Sequence, residues 1–439
     1  MGFTFLEVNA RTGINKLSTR PPDNMSEQLL HFSQSLLEYK IDQNVWIEVP
    51  PHDVKLCARI LYVPKKLTFR AVADARLPNS FVVKKHLYVD SLRTQLNYLR
   101  GSQVYCSVDG KEMYHQLRYD DTHAIYRIFM NGKFYRQTRM GMGFKNSEAH
   151  LQNAITWMCQ TENIGYDIML HAADNFLIHG KDDIDCARNF VKVLKVFEKY
   201  GLVISPKCEL LHRRVKFMGL TIENGTYYKN PKFLKEFLEM DKPANLGVIQ
   251  KTMNSLAFMK DHINDFSTLH QHLAAFIVAN TPPNCKNINR IAISDQIWNG
   301  LILESWNLLK ERSSQPLRFS LPTPNQPKLI IADSSNYGYG YWFGEISEED
   351  FQKESLAEMT SFKLIAASSG TWNDAQLKLT NTLRELAASV IAAKRTFAWH
   401  FGCPTRIFTD HKNNTFEEKF DPNTHVNLHY INPTSSICN

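Results

Sequence analysis

A β-branched run that ends in a carboxylate constrains this chain more than any other feature. It reads Val104-Tyr-Cys-Ser-Val-Asp109 and continues as Gly-Lys-Glu-Met-Tyr114-His-Gln116. Such a run predicts a strand whose acid sits at its end, with an aromatic five residues on, the ground plan of a metal-holding palm. A second site about sixty-five residues later strengthens the pattern: Ile168-Met-Leu170 meets His171-Ala-Ala-Asp174-Asn175 and resumes as Phe176-Leu-Ile178, a hairpin with an acid at its turn. Two acids at strand ends, distant in sequence, can converge on divalent metal ions that drive phosphoryl transfer by in-line displacement. The pattern implies a nucleotidyl transferase.

With 439 residues, 43% of them hydrophobic, the chain exceeds one ordinary core and predicts several domains. A net charge of +7 and a pI near 8.8 are mild for a nucleic-acid binder and fit an ordinary slightly basic soluble protein equally well. The eight cysteines contain no CxxC pair, which argues against a zinc knuckle or a disulfide framework and for reduced thiols. Charge at Glu7 and Arg11, with no long apolar core, argues against secretion and for a cytoplasmic or nuclear protein. No run approaches the roughly 18 apolar residues of a membrane helix, so no membrane partner is expected. Gly2 invites a myristoylation reading that fails because Leu6 occupies the required Ser/Thr position.

Ser26 is placed to cap a short helix. Cys57 to Val83, punctuated by Pro64 and Pro78, predicts strands of a small subdomain. Helices are predicted over Ser147–Thr161 and Asp182–Tyr200, the second ending at Gly201 and presenting Ala187, Phe190, Val191, Leu194 and Phe197 on one face. A βαβ-like alternation thus surrounds both acids. Asn230 to Thr281 is helical in pattern, and Thr281-Pro-Pro-Asn284 breaks it. The clearest linker is Leu321-Pro-Thr-Pro-Asn-Gln-Pro327.

After it, Lys328-Leu-Ile-Ile-Ala-Asp333 is a strand carrying an acid, with a glycine turn and a second strand to Phe343. Leu383-Arg-Glu385 opens a helical run to Lys394, and Thr405-Arg-Ile-Phe-Thr-Asp410 is a strand ending in an acid. Carboxylates on a strand, a helix and a strand can cluster around a pair of metal ions that cut a phosphodiester. Singly, each has an ordinary reading: a strand-end Asp as a cap or turn residue, Glu385 as a solvated first-turn charge suiting the helix dipole.

The ordered set resembles the polymerase and ribonuclease H region of a gypsy-type LTR retrotransposon, related to retroviral reverse transcriptase, from about Ile60 to His411. Arg59 to Lys66, Phe69 to Arg76 and Asn79 resemble its fingers motif; Asp109 to Gln116 resembles Asp-x-x-x-Gly-Tyr-His-Gln. Met142-Gly-Phe-Lys-Asn-Ser-Glu-Ala-His-Leu-Gln152 is similar to Phe-Gly-Leu-Lys-Asn-Ala-Pro-Ala-x-Phe-Gln. Gly201 to Cys208 and Phe217-Met-Gly219 are similar to Gly-Leu-x-x-x-x-Lys-Cys and Phe-Leu-Gly. Each match is weak alone; six in family order are specific.

The resemblance implies an RNA-directed DNA polymerase in which Asp109 and Asp174, with Asn175 beside them, hold magnesium or manganese ions. Tyr114 would lie beneath the sugar and exclude a 2′-hydroxyl, though by residue type alone it is an ordinary core aromatic. Lys65, Lys66, Arg70, Met142 and Gly143 would line the site for deoxynucleoside triphosphates, and Lys207 would give a proton to pyrophosphate; surface lysines in solvated turns are the plain alternative. Asp333, Glu385 and Asp410 would form the ribonuclease H metal site. The implied partners are an RNA or DNA template–primer duplex, held through phosphates with slight sequence specificity, and a protein partner or second copy.

The departures weigh the other way. The family's Tyr-x-Asp-Asp is here Ala172-Ala-Asp174-Asn175, the amide removes a charge from the metal site, and Glu148 stands where proline is usual. A fourth nuclease acid is expected after a strand like Leu428-His-Tyr-Ile, but the sequence stops at Asn439 and only about twenty residues separate that strand from Asp410, which implies a shortened or missing element. Asp421 could substitute, although its Phe420-Asp-Pro-Asn423 setting is that of a turn acid. Three classes follow: an active polymerase with a nuclease of doubtful activity, a weakened or host-adopted descendant that grips nucleic acid or a protein as a scaffold, and, least supported, an unrelated nuclease built on the last unit. Without protease, integrase or zinc-knuckle sequence, a processed piece or a stand-alone gene is expected. The expected architecture is α/β and α+β multidomain, a right-hand polymerase followed by a ribonuclease H-like domain. Its parts are an N-terminal extension (1–45), fingers and palm (46–228, with fingers near 46–103 and 118–150), a helical thumb and connection (229–325) and the last domain (326–439).

Overall fold

The computed structural model describes residues 26–53, 56–64, 68–84, 90, 92–118, 127–229, 234–285, 287–323, 325–410 and 426–430. They fall into two compact units, one drawn from Met1–Asp90, Ser107–Ile178 and Ala187–Glu209, the other from Ser91–Cys106, His179–Cys186 and Leu210–Asn439. Strands and the longer helices are numbered in chain order.

In the first unit, helix α1 (Glu27–Asp42) starts where expected, Ser26 accepting a hydrogen bond from the Leu29 N–H. Strands β1 (Trp46–Val49), β2 (Cys57–Pro64), β3 (Phe69–Asp74), β5 (Arg127–Met130) and β6 (Lys133–Gln137) form a sheet in the order β1-β6-β5-β2-β3. Its core gathers Val45, Trp46, Ala58, Ile128 and Tyr135, and α1 packs on it through Leu36 and Leu37. The strands predicted between Cys57 and Val83 are present as β2 and β3, but Arg76–Ser80 is a short helix. Pro78 sits within its first turn, where a missing N–H costs nothing.

A four-stranded sheet carries the strand-end acids, in the order β7 (Met169–Ala172), β8 (Asn175–Gly180), β4 (Val104–Asp109), β9 (Glu209–His212). Beside these strands lie the single-turn α2 (Met113–Gln116), α3 (Ser147–Thr161) and α4 (Asp183–Lys199). The last two match the expected helices almost residue for residue. Asp182 caps α4 by accepting from the Asp185 N–H, and Gly201 follows at φ +68°, the left-handed stop that glycine supplies.

In the second unit, strands β10 (Arg214–Phe217), β11 (Leu220–Glu223), β12 (Thr226–Lys229) and β13 (Phe319–Ser320) form an antiparallel sheet. Its hairpins turn at Met218-Gly219 and Asn224-Gly225, all four residues at positive φ, which is the twist two-residue hairpins require. Helices α5 (Leu234–Glu239), α6 (Leu246–Leu256), α7 (Phe266–Ala279) and α8 (Gly300–Ser314) share a core in which Trp306 is enclosed and meets Phe237 and Trp298 edge to face.

The chain then builds β14 (Lys328–Ser334), β15 (Gly338–Glu345), β16 (Lys363–Thr371), helix α9 (Asn381–His400), β17 (Thr405–Thr409) and β18 (Val426–Tyr430). Sheet order is β16-β15-β14-β17-β18, the first three strands antiparallel and the last two pairings parallel. The buried core joins Ile330, Phe343 and Ile365 to Ala388, Ala392 and Trp399 of α9. The sequence expectation of strand, glycine turn, strand, helix and strand is met in order. No helix among the described residues is long and apolar enough to cross a membrane.

Gly180, at the end of β8, accepts from the Gln103 N–H at 3.0 Å, and a Cβ there would stand 2.4 Å from the Cys186 backbone nitrogen. Backbone atoms cannot swing aside as a side-chain tip can. Gly180→Ala is therefore expected to destabilise the protein by about 1–3 kcal/mol, read as a lower denaturant midpoint; an unchanged midpoint would show that this approach is looser than described.

Candidate functional site

The β4 strand is buried at Val104, Tyr105, Cys106 and Val108 and surfaces at Asp109, so its apolar run delivers one carboxylate to the sheet's edge. The β7–β8 hairpin pairs Ala172 with Asn175, leaving Ala173 and Asp174 as its two-residue turn. Ala173 holds φ +53°, an unfavourable conformation for a residue with a Cβ. The Gly110 N–H donates to the Asp174 carbonyl at 2.7 Å and so draws the two acid-bearing segments together. A Cβ at Gly110 would lie 2.1 Å from Cγ of the buried Met113.

Gln116 closes the same loop. Its side-chain amide donates to the carbonyls of Lys111 and Val203 and accepts from the Val203 N–H at 2.8 Å, while the Ser205 N–H donates to the Asp109 carbonyl at 2.7 Å. Gln152, from the motif on α3, contacts Nδ1 of His171 in β7 at 3.1 Å, and burial holds that imidazole down at about 4, so it stays neutral.

Burial raises the Asp109 carboxyl above its ordinary value; Asp174 and Glu209 raise it further by repulsion, and Lys207 opposes them. Glu209 was not anticipated, its only sequence signal being a place two residues beyond Lys207. Asn175 Nδ2 donates to Asp174 Oδ1 at 3.0 Å. The amide thus attracts Asp174 where a second acid would repel it. The Tyr114 hydroxyl is raised first by burial and then by Glu148 and Asp174, which sets this aromatic in the field of the same centre.

Among the residues expected around a triphosphate, Arg70 and Met142 are exposed and in contact, Nη2 to Sδ 3.8 Å. Gly143 holds φ +86°, and its carbonyl accepts from Asn79 Nδ2 at 2.8 Å. Asn79 Oδ1 accepts from the Lys145 N–H, and Lys145 Nζ donates to the Val82 carbonyl at 2.7 Å, so these motif residues fasten one loop to another. Lys65 and Lys66 lie outside the described residues.

The second group of acids is set by strand register. Parallel pairing of Ile331 with Phe408 carries Asp333 and Asp410 to the same end of β14 and β17, and the first turns of α9 bring Glu385 to them. One ligand atom from each of Asp333, Glu385 and Asp410 lies within 4.8 Å of the others. Glu385 is not the solvated first-turn charge that its helical position suggested: it is 6% exposed, because α9 packs this face onto the sheet. Its Oε1 accepts from the Ser334 N–H at 3.1 Å and the Ser334 hydroxyl at 2.7 Å, whereas buried Oε2 has no hydrogen-bond partner among the described residues. Burial pushes this carboxyl up to about 7; the Ser334 bonds oppose the rise, and Asp410 and Asp333 reinforce it. Asp333 is raised by burial and by Asp410. An unpartnered buried oxygen beside two further carboxylates is a donor set that suits a hard divalent cation. Strand β18, bearing the sequence Leu428-His-Tyr, pairs with β17 in parallel; Asp421 lies outside the described residues.

Residues 323–429 match the family described as the RNase H-like domain found in reverse transcriptase. Over 408 residues the chain is 22% identical to the transposon Tf2-7 and Tf2-8 polyproteins of Schizosaccharomyces pombe, a match that covers 90% of this chain and 27% of each polyprotein. The chain therefore spans about a quarter of the length of these curated relatives. Among solved structures it is similar to the foamy viral protease-reverse transcriptase in complex with RNA/DNA hybrid, with a TM-score of 0.75 and 16% identity over 93% of this chain and 54% of that one. The same viral protein in complex with dsDNA gives a TM-score of 0.74 at 16% identity, over 99% of this chain and 89% of that one. At this identity the likeness establishes a shared fold.

Glu385 supplies a test of the acid group in cation-free buffer. Burial pushes its carboxyl up to about 7 in the folded chain from an ordinary 4.5, so the folded state prefers the proton and stability is expected to fall as pH rises from 4.5 through 7. Glu385→Gln, neutral throughout, is expected to gain stability relative to wild type at pH 8 but not at pH 4.5, measured by urea unfolding with chelator present. An equal effect at both pH values would mean that Glu385 is not crowded as described. Motif order, domain match and shared fold point the same way: the chain is similar along 90% of its length to the Tf2 transposon polyproteins, residues 323–429 match the RNase H-like domain found in reverse transcriptase, and the chain shares the fold of the foamy viral protease-reverse transcriptase.

Proposed function

We propose that this chain is an RNA-directed DNA polymerase that joins deoxynucleoside triphosphates to a primer on an RNA or DNA template, with a second, ribonuclease H-like centre whose cleavage of an RNA–DNA hybrid is feeble. The observation that carries the reading is the convergence of Asp109, at the end of a buried strand, with the Asp174 turn through the 2.7 Å Gly110 hydrogen bond. Asp109 and Asp174 would hold magnesium or manganese at the first centre, and Asp333, Glu385 and Asp410 at the second; the cations would neutralise phosphate charge and lower the pKa of the attacking hydroxyl or water.

Within the polymerase centre, Tyr114 takes the floor beneath the incoming sugar, where its ring leaves no room for a 2′-hydroxyl. Arg70, exposed beside Met142, presents a guanidinium fork to phosphate oxygens. Lys207, whose charge acts on Asp109, would give a proton to departing pyrophosphate. In the second centre the Ser334 hydroxyl and N–H fix Glu385 Oε1, leaving Oε2 for the cation.

A second reading rests on Asn175. Its Nδ2 occupies Asp174 Oδ1, an oxygen that metal binding needs, which favours a descendant that grips nucleic acid or a protein partner without efficient synthesis.

Extension of a DNA primer on an RNA template separates the two. Wild type is expected to be slow in magnesium and faster in manganese, and Asn175→Asp to raise the magnesium rate by restoring the lost charge. Asp109→Asn should abolish extension while leaving duplex binding within a few-fold. Duplex binding without extension by wild type and Asn175→Asp in either metal would sink the polymerase reading and favour the scaffold. For the second centre, hybrid cleavage should vanish in Asp333→Asn; cleavage that persists in this variant would place the nuclease elsewhere.

A further inference from the structure

We propose that Lys40, on α1, is a positioning residue that fixes Tyr114 and thereby sets how strictly the polymerase centre rejects ribonucleotides, through a strut of the buried Lys40, the exposed Glu112 and the half-buried His115. The proposal rests on the polymerase reading above.

Three observations carry it. The Lys40 side chain is only 8% exposed, and its ammonium donates to Glu112 Oε2 at 2.8 Å and lies 3.3 Å from His115 Nδ1. His115 Nδ1 is itself 2.8 Å from the same Glu112 oxygen. Glu112 stands at the start of α2, the single turn Met113–Gln116 that carries Tyr114, and His115 lies within that turn next to Tyr114. Finally, Glu112 sits in the left-handed region at φ +47°, ψ +45°, and its side chain makes no capping bond to the turn it starts. An isolated turn cannot maintain itself, and a residue with a Cβ does not stay left-handed unless its surroundings hold it. Lys40 is what holds it from outside.

The charge arrangement explains why the contact is rigid. A buried ammonium is tolerated only when paired, so Lys40 depends on the Glu112 carboxylate, to which His115 Nδ1–H also donates. Lys40 is 72 residues from Glu112 in sequence, so the strut ties α1 to the catalytic loop directly. The other ties on that loop, from Gly110 and Gln116, hold its two ends, whereas the Lys40 strut acts on the residues to either side of Tyr114. Ring placement against a sugar tolerates little error, since a displacement of about 1 Å at a reacting group can cost on the order of a hundredfold.

The test compares incorporation of ribo- and deoxyribonucleotides by wild type, Lys40→Met and Tyr114→Ala, with manganese and magnesium, alongside duplex binding. Lys40→Met is expected to raise the ribo-to-deoxyribo ratio by roughly tenfold, mainly through KM, with duplex binding intact. Lys40→Arg should keep much of the wild-type ratio. A merely structural lysine would lower both incorporations together and leave the ratio alone. If Tyr114→Ala relaxes selectivity and Lys40→Met does not, the strut is overturned while the polymerase reading stands. If Tyr114→Ala leaves selectivity unchanged, Tyr114 is not beneath the sugar and the proposal falls with it. If wild type extends with neither metal, both the polymerase reading and the strut are lost. Should Lys40→Met fold poorly, Glu112→Gln takes its place in the same assay: a raised ratio supports the strut and an unchanged one overturns it.

Discussion

Carboxylates brought within a few ångströms of one another repel, and partial burial strengthens the repulsion by removing the water that would screen it. Both acid centres of this chain are built against that force. In the second, the β14–β17 register and the packing of α9 bring Asp333, Glu385 and Asp410 together, and the strain is visible as a Glu385 oxygen without a hydrogen-bond partner among the described residues and a carboxyl pushed up to about 7. Such an arrangement persists because the backbone that imposes it is anchored elsewhere, by Ile330, Phe343 and Trp399 in the core. The acids cannot separate without unmaking the sheet.

The first centre meets the same force with different means. Its fixtures are largely backbone hydrogen bonds: Gly110 to Asp174, Ser205 to Asp109, and the Gln116 side chain gripping both sides of the loop. These bonds run to backbone carbonyls and N–H groups and so do not depend on whether Asp109 and Asp174 are ionised. Lys207 supplies a counter-charge, and Asn175 replaces repulsion with a 3.0 Å hydrogen bond.

What the sequence disclosed, and what it did not, follows from the range of the interactions. The strand-end places of Asp109, Asp333 and Asp410 and the turn place of Asp174 were legible because strand periodicity and turn chemistry are local, and the helices Ser147–Thr161 and Asp183–Lys199 because their caps and apolar faces are local too. The burial of Glu385 was illegible: position in a first helical turn gives no hint that this face of α9 meets a sheet. Asn79 and Lys145, matched through their motifs, proved to be loop fasteners, since a motif shows that a residue is needed and not whether ligand or backbone needs it. Glu209 and Lys40 went unnoticed for the opposite reason, having no motif and acting only through contacts made in three dimensions.

Asn175 is where stability and chemistry pull apart most plainly. An acid there would repel Asp174 and Asp109 in the absence of a cation, and a cation would then bind the more tightly because it relieves that repulsion. The amide removes both halves of the arrangement, leaving a hairpin that is calmer alone and less eager for metal. At Asp333, Glu385 and Asp410 the two Ser334 hydrogen bonds to Glu385 relieve the crowding only in part, and a cation at this group would relieve the rest. The two centres thus need not share one fate: a single side chain can lower the charge of the first, while the second, held by its own sheet, keeps all three of its carboxylates.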